Sequence, residues 1–220
     1  MAIANPLARL VRMQARARRL IRRFHKGESG VAAVEFALML PVMLSVWVGM
    51  VVATDAINAN KKVTLLARTL ADITTQSSIV SQVDMDTIFN ASTQIMYPQA
   101  ASALGMRVTA LLIDGAGTPF VDWSVVPSNG ALKGTFSPIA HCTQLTTLPA
   151  GLKVARTSII LAEVTMSYSA SIVTDLANEL FGATYSGNKM PLADNLYMRP
   201  RQSTKVAFNP APTTCPGFVP

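Results

Sequence analysis

The feature that most restricts this chain is the run from Phe36 to Thr54, FALMLPVMLSVWVGMVVAT, nineteen residues without one ionisable side chain. A helix needs about 20 residues to cross a hydrocarbon core of roughly 30 Å, and this is the one membrane-length run in the sequence. The chain is therefore expected to enter a membrane once, by residues 31 to about 55. The formal net charge of +7 sits on one side of that run. Residues 1–30 hold eight of the nineteen Lys and Arg and only one acid, Glu28, whereas residues 31–220 carry equal numbers of each sign. Basic residues flanking a span favour the cytoplasmic side, which predicts a cytoplasmic N-terminus and an extracytoplasmic location for everything after Asp55. A nucleic-acid partner is not expected, because only Phe24 interrupts the basic stretch with an aromatic ring.

The apolar run does not end in a break. Ala56, Ala59, Val63, Leu66, Leu70 and Ile73 repeat at 3-4 spacing, one stripe on a helix whose other faces carry Lys61, Lys62, Arg68 and Asp72. No Gly or Pro falls between residues 50 and 80, so the span is expected to continue into this amphipathic half as a single helix, from near Val31 to near Gln76. The domain reading is accordingly a basic leader, 1–30, a long helix, 31–78, with its span at about 31–55 and its amphipathic part at 56–78, and an extracytoplasmic domain, 79–220. Pro41 removes one backbone donor from the apolar half and predicts a kink or local unwinding there.

Beyond the helix the pattern changes from period 3.6 to period 2. Residues 81–96 read as a shorter helix capped near Ser81 or Asp84, with Val83, Ile88, Phe89, Ile95 and Met96 as its apolar residues and Tyr97-Pro98 as its end. Residues 106–113 and 119–126 read as a hairpin around Asp114-Gly-Ala-Gly-Thr118. In it Met106, Val108, Ala110 and Leu112 are expected on one face, and Val121, Trp123 and Val125 on one face of the second strand. Residues 127–156 are rich in Gly, Pro, Ser and Thr and predict an irregular excursion carrying Cys142. Residues 157–168 form the strongest strand, with Ile160, Ala162, Val164, Met166 and Tyr168 on one face. A short helix is expected around 172–181, an extended stretch over 197–208, and a coil from Asn209 to Pro220 tied down at Cys215. This adds up to an α+β fold: a long N-terminal transmembrane and amphipathic helix, then a small antiparallel sheet with short helices.

Cys142 and Cys215 both fall on the expected outer side. An oxidising compartment permits a disulfide between them, the alternatives being two free thiols or a bond to another chain. His141 predicts no metal site, since the only other histidine, His25, is in the basic leader, and no cofactor is expected. The sequence offers no Gly-x-Ser-x-Gly elbow and no phosphate-binding loop, so no enzyme is expected. Asp84 and Asp86 read as helix-cap residues, and Asp114 and Asp122 as hairpin residues, rather than as catalytic pairs. Asn90-Ala-Ser92 matches a glycosylation sequon by chance, and Arg199 and Arg201 are expected to satisfy backbone or surface charges.

The join between leader and span reads Gly30-Val-Ala-Ala-Val-Glu35-Phe-Ala-Leu-Met-Leu-Pro-Val42. It resembles the processing site of type IV prepilins and, more closely, the start of TadE/TadF-like pseudopilins of the tight-adherence (Flp) pilus system. The resemblance is specific from Glu28 to about Met50, with weaker echoes at 158–168 and 197–201. It implies a minor pilin or pseudopilin of the bacterial inner membrane. A prepilin peptidase would cut between Gly30 and Val31, and Glu35 would neutralise the new α-amine within the chain or on a neighbour. The implied partners are that peptidase, other Tad pilins and pseudopilins, and the pilus assembly machinery. The major Flp subunit is very short and has tyrosine after the glutamate, whereas this chain has Phe36 and a large domain, which argues against the major subunit. A signal-anchored single-pass envelope protein, its helix only a tether for an outer binding domain, is the alternative.

Overall fold

The computed structural model describes residues 29–97, 104–132, 134–169, 179, 189–213 and 215. The chain divides into two compact units, Met1–Val51 and Val52–Pro220, and the division falls within the first helix, α1, Ser29–Thr75. At 47 residues α1 is about 70 Å long. The basic leader lies outside the described residues except for Ser29 and Gly30.

The described part of the first unit is the apolar start of α1, whose Leu, Met and Ala are strong helix formers. Its side chains are exposed almost throughout. The helix runs through Pro41, which leaves the Ala37 carbonyl without its usual donor four residues on.

In the second unit the remainder of α1 lies on a sheet. Ala59, Val63, Leu66 and Leu70 are fully buried, as the stripe predicts, and Ala56 is partly buried against the same core. Ile73 departs from the expectation and stays exposed, while Ala67, Ala71 and Thr74 are buried instead. At 100° per residue Ile73 lies about 80° from Val63, off the centre of the buried face, and Thr74 lies nearer to it. Strand β1, Ile79–Ser81, follows, and then helix α2, Gln82–Ser92, and a 3₁₀ turn, Thr93–Met96. Met85, Phe89 and Met96 are buried, but Val83 is on the outer side of α2.

The main sheet is antiparallel, in the order β3-β2-β4-β5, from β2, Leu104–Ile113, β3, Pro119–Val125, β4, Ser158–Tyr168, and β5, Met190–Met198. β6, Ala207–Asn209, pairs in parallel with β1. The β2–β3 turn is built by Asp114, whose Oδ1 accepts the N–H groups of Ala116 (2.9 Å) and Thr118 (2.7 Å). Gly117 there has φ of +82°, a conformation that favours glycine.

The two faces of this sheet bury different sets. Met106, Val108 and Ala110 of β2 join Ile160, Ala162, Val164, Met166 and Tyr168 of β4 in the core shared with α1 and α2. On the opposite face Leu111, Ile113, Val121 and Ile159 form a second core with Leu148 from the excursion. Leu112 keeps the parity of Met106, Val108 and Ala110 but is only half-buried, and Val121 does not share a face with Trp123. Asp122 is the reason: Ala110 pairs with Trp123 and Leu111 with Val121, so Asp122 is an extra residue that bulges β3 and reverses its facing.

The stretch expected to be extended over 197–208 is instead the end of β5, a series of bends over 201–205, and β6. β5 starts seven residues before that expectation. The helix expected at 172–181 lies outside the described residues apart from Glu179, and of the tail only 209–213 and 215 are described.

Candidate functional site

The N-terminal end of α1 places Gly30 and Val31 in the first helical turn. A Cβ added at Gly30 would meet nothing within 4 Å, so the fold itself does not require a glycine here. Glu35 lies four residues after Val31, an i,i+4 relation that puts the two on one side of the helix about one turn apart. Both are exposed.

From Val31 to Met50 the helix presents bulky apolar side chains on every side; Phe36, Leu38, Met43, Val46, Trp47 and Met50 are all more than 60% exposed. The one hydroxyl in this stretch, Ser45, donates to the Val42 carbonyl at 2.8 Å and so needs no water. Among the described residues this is the single helix long and apolar enough to cross a membrane.

Where α1 passes into the second unit, Asp55 accepts a hydrogen bond from Tyr168 Oη at 3.0 Å. Burial first, and then the Asp55 carboxylate, pushes the Tyr168 pKa up to about 12. A raised pKa means that this contact is fully present below the ordinary tyrosine value of 10.0 and is lost only as pH rises through about 12. Further along, Ile57, Lys61, Leu65, Thr69 and Ile73 form one i±4 row on the side of α1 away from the core, with Ile57 55% and Leu65 50% exposed. The C-terminal end of α1 is closed by Arg201, whose N–H donates to the Thr75 carbonyl and whose guanidinium pairs with Asp72 at 2.6 Å.

Cys142 and Cys215 are disulfide-bonded, with Cα atoms 5.2 Å apart. His141 adds to the same knot. Its Nδ1 lies 2.6 Å from the Asp122 carbonyl oxygen and its Nε2 lies 2.7 Å from that of Thr213. The ligand atoms of His141, Cys142 and Cys215 fall within 4.8 Å of one another. The two sulfurs are bonded to each other, however, and offer no thiolate to a metal. Cys142 adopts φ of +64°, an uncommon backbone for a non-glycine residue.

The acidic pairs are structural. Ser81 caps α2 in a reciprocal box: its Oγ accepts the Asp84 N–H, and its own N–H donates to Asp84 Oδ2 at 2.9 Å. The Ser81 hydroxyl above all, and then its N–H, holds the Asp84 carboxyl below its ordinary value of 3.8. Partial burial pushes the Asp86 carboxyl up, but the Ser128 N–H and hydroxyl and the Gln82 amide outweigh it and leave it lowered. Both groups stabilise the folded state above the ordinary carboxylate value, and that contribution is lost as pH falls through their lowered folded values. We therefore expect the protection of Gln82–Ser92 against amide exchange to fall below about pH 4 ahead of that of the core strands, and Asp84→Asn to remove part of that pH dependence. Equal protection of α2 at pH 3 and pH 6 would contradict this. Asp122 pairs with Lys205 at 3.6 Å, and Asn90 is exposed on α2 while Ser92 is buried.

One constellation had no signal in the sequence. Arg107 of β2 and Glu163 of β4 are direct cross-strand neighbours and form a two-pronged ion pair, with Nε–Oε2 at 2.6 Å and Nη2–Oε1 at 2.8 Å. Nη1 donates to the Ser137 carbonyl, and the guanidinium lies 4.7 Å from the centre of the Phe136 ring. Only the β2–β4 register brings residues 56 apart into this contact.

These elements define a class: an α+β chain whose long helix α1 has a start long and apolar enough to cross a membrane, with an acid five residues after a glycine. Within that class, residues 30–72 match the family model described as TadE-like protein, a family that is not one of enzymes. The match covers most of α1 and supports a relation to the Tad pilus; the remainder of the chain lies outside it. No curated protein and no solved structure gave a match.

Proposed function

We propose that this protein is a minor pilin or pseudopilin of a tight-adherence pilus, made as an inner-membrane precursor and cut by a prepilin peptidase between Gly30 and Val31. In this reading the N-terminus stays cytoplasmic, α1 spans the membrane over about 31–55, and the sheet domain faces the extracytoplasmic side. The observation that carries it is the pairing of an all-round apolar, exposed helix with Glu35 one turn after Val31. Cleavage would place an ammonium at the lipid boundary where a carboxylate already waits. Basic residues in the leader would hold the scissile bond against the anionic inner leaflet. The exposed Ile57–Leu65–Ile73 row would extend the packing surface of the helix beyond the membrane.

Mass spectrometry of the protein purified from its native envelope tests this. The expected species starts at Val31, and Gly30→Leu retains residues 1–30. Because a side chain at Gly30 meets no neighbour, loss of cleavage in that variant reports on recognition by the peptidase, not on folding. A wild-type protein that keeps its first thirty residues would instead support the signal-anchored reading.

A further inference from the structure

On the sheet face opposite to the one that packs on residues 59–71 of α1, the structure has an open cavity of about 300 Å³ lined by Phe136, Glu163, Thr165, Ala193 and Asn195, with Val164 and Asp194 also in its lining. Glu163 pairs directly with Asn195 across β4 and β5, and Thr165 pairs with Ala193. These four side chains therefore stand on one face, opposite to the face where Val164 packs into the core.

The wall of the cavity is fixed rather than loose. Gly134, at φ of +56°, lies so close to Gly105 that a Cβ on it would come within 2.7 Å of the Gly105 Cα. The 134–137 segment is thus seated directly on the sheet beside Thr165, the strand partner of Gly105. Arg107 then holds the next turn of that segment through the Ser137 carbonyl and the Phe136 ring. A site whose walls are held before the ligand arrives loses less entropy on binding.

The chemistry of the lining selects a ligand class. Glu163 is already matched by Arg107 in a two-pronged pair, so its charge is compensated, yet each carboxylate oxygen keeps capacity to accept from a hydroxyl. Asn195 brings a donor and an acceptor on one amide, Thr165 a hydroxyl, and Phe136 an apolar ring. Asp194 belongs to the opposite parity of β5 and accepts the Asn195 N–H at 2.8 Å. On this face a cation would meet only Glu163, whose charge Arg107 already matches, and an anion would find no cation among the lining residues. What fits is a neutral molecule with hydroxyls along its edge and an apolar C–H face. We propose that this cavity is a binding site for a neutral saccharide of one or two rings, held by Glu163, Thr165 and Asn195 through its hydroxyls and by Phe136 through its face.

The test uses the full chain in lipid nanodiscs, which avoids sugar-based detergents. Saturation-transfer NMR and calorimetry are run with maltose, cellobiose and N,N′-diacetylchitobiose, with trilysine and glucuronate as charged comparators. At least one disaccharide should bind saturably, with Kd on the order of millimolar or tighter. Asn195→Ala should weaken that binding about tenfold, since it removes hydrogen bonds in a partly desolvated site, and Phe136→Leu should weaken it to a similar degree, both with an unchanged unfolding midpoint. Saturation by none of the three disaccharides overturns the proposal. So does binding that survives both substitutions, or a preference for trilysine or glucuronate over every disaccharide. The lining residues all belong to the second unit and include neither Gly30 nor Glu35, so this outcome is independent of whether the leader is cut.

Discussion

Glu35→Ala is expected to leave the chain correctly trimmed at Val31 and stably inserted, yet to reduce its incorporation into pilus assemblies by at least about tenfold, the equivalent of 1.4 kcal/mol. The expectation follows from where the charge sits. An i,i+4 pair on a hydrated helix contributes only about 0.2–0.5 kcal/mol, too little to matter. A single charge placed deep in a bilayer costs about 3 kcal/mol or more, and an unpaired α-amine meets that cost once the helix leaves the hydrated boundary and packs among other apolar helices. Negative charge near the N-terminal end of the trimmed helix also complements its dipole. Glu35→Gln separates charge from size and should behave as Glu35→Ala does, whereas Glu35→Asp should retain partial function. Trimmed, inserted Glu35→Ala protein that assembles at the wild-type level would remove the proposed role of the pair. The readouts are the N-terminal mass, membrane fractionation and the amount of the protein in sheared pili.

How much of this was legible in the sequence depends on the range of the interactions. α1 is encoded locally: a run of uncharged residues followed by a 3-4 stripe, with no breaker, and the structure forms it over Ser29–Thr75. The Ser81–Asp84 cap and the Asp114 turn are likewise contained within a few residues. The errors fall where a distant partner decides. Val121 changes face because Asp122 bulges against β2, a fact of register that no alternation within β3 reveals. β5 carries Pro191, Asp194 and Asn195, residues that strands disfavour, and it becomes a strand because nine consecutive residues of β4 pair with it. Arg107 and Glu163 lie 56 residues apart, and only the register places them together. At the N-terminal join the position is reversed. An added side chain at Gly30 would meet nothing in the fold, and what is expected of it rests on the motif alone.

Adjacent residues of α1 should separate stability from assembly. Leu66 is fully buried among residues of the sheet and α2, whereas Leu65 is 50% exposed on the outward row with Ile57. Leu66→Ala removes a core side chain and leaves a cavity, which costs about 2–5 kcal/mol. Against a total stability of about 5–15 kcal/mol for an ordinary domain, that loss should lower the unfolding midpoint by several degrees and raise protease sensitivity of the second unit, while membrane insertion through 31–55 is retained. Leu65→Ala, alone or with Ile57→Ala, leaves no void and should change stability by no more than about 0.5 kcal/mol. Its effect should appear only in assembly, because the row it interrupts has the i±4 geometry by which one helix packs against another. The measurement is a paired one, thermal unfolding of each purified variant beside its level in sheared pili. Equal stability losses at the two positions would mean that Leu65 is part of the core, and wild-type assembly of the Ile57→Ala, Leu65→Ala double variant would mean that this face of α1 carries no partner helix.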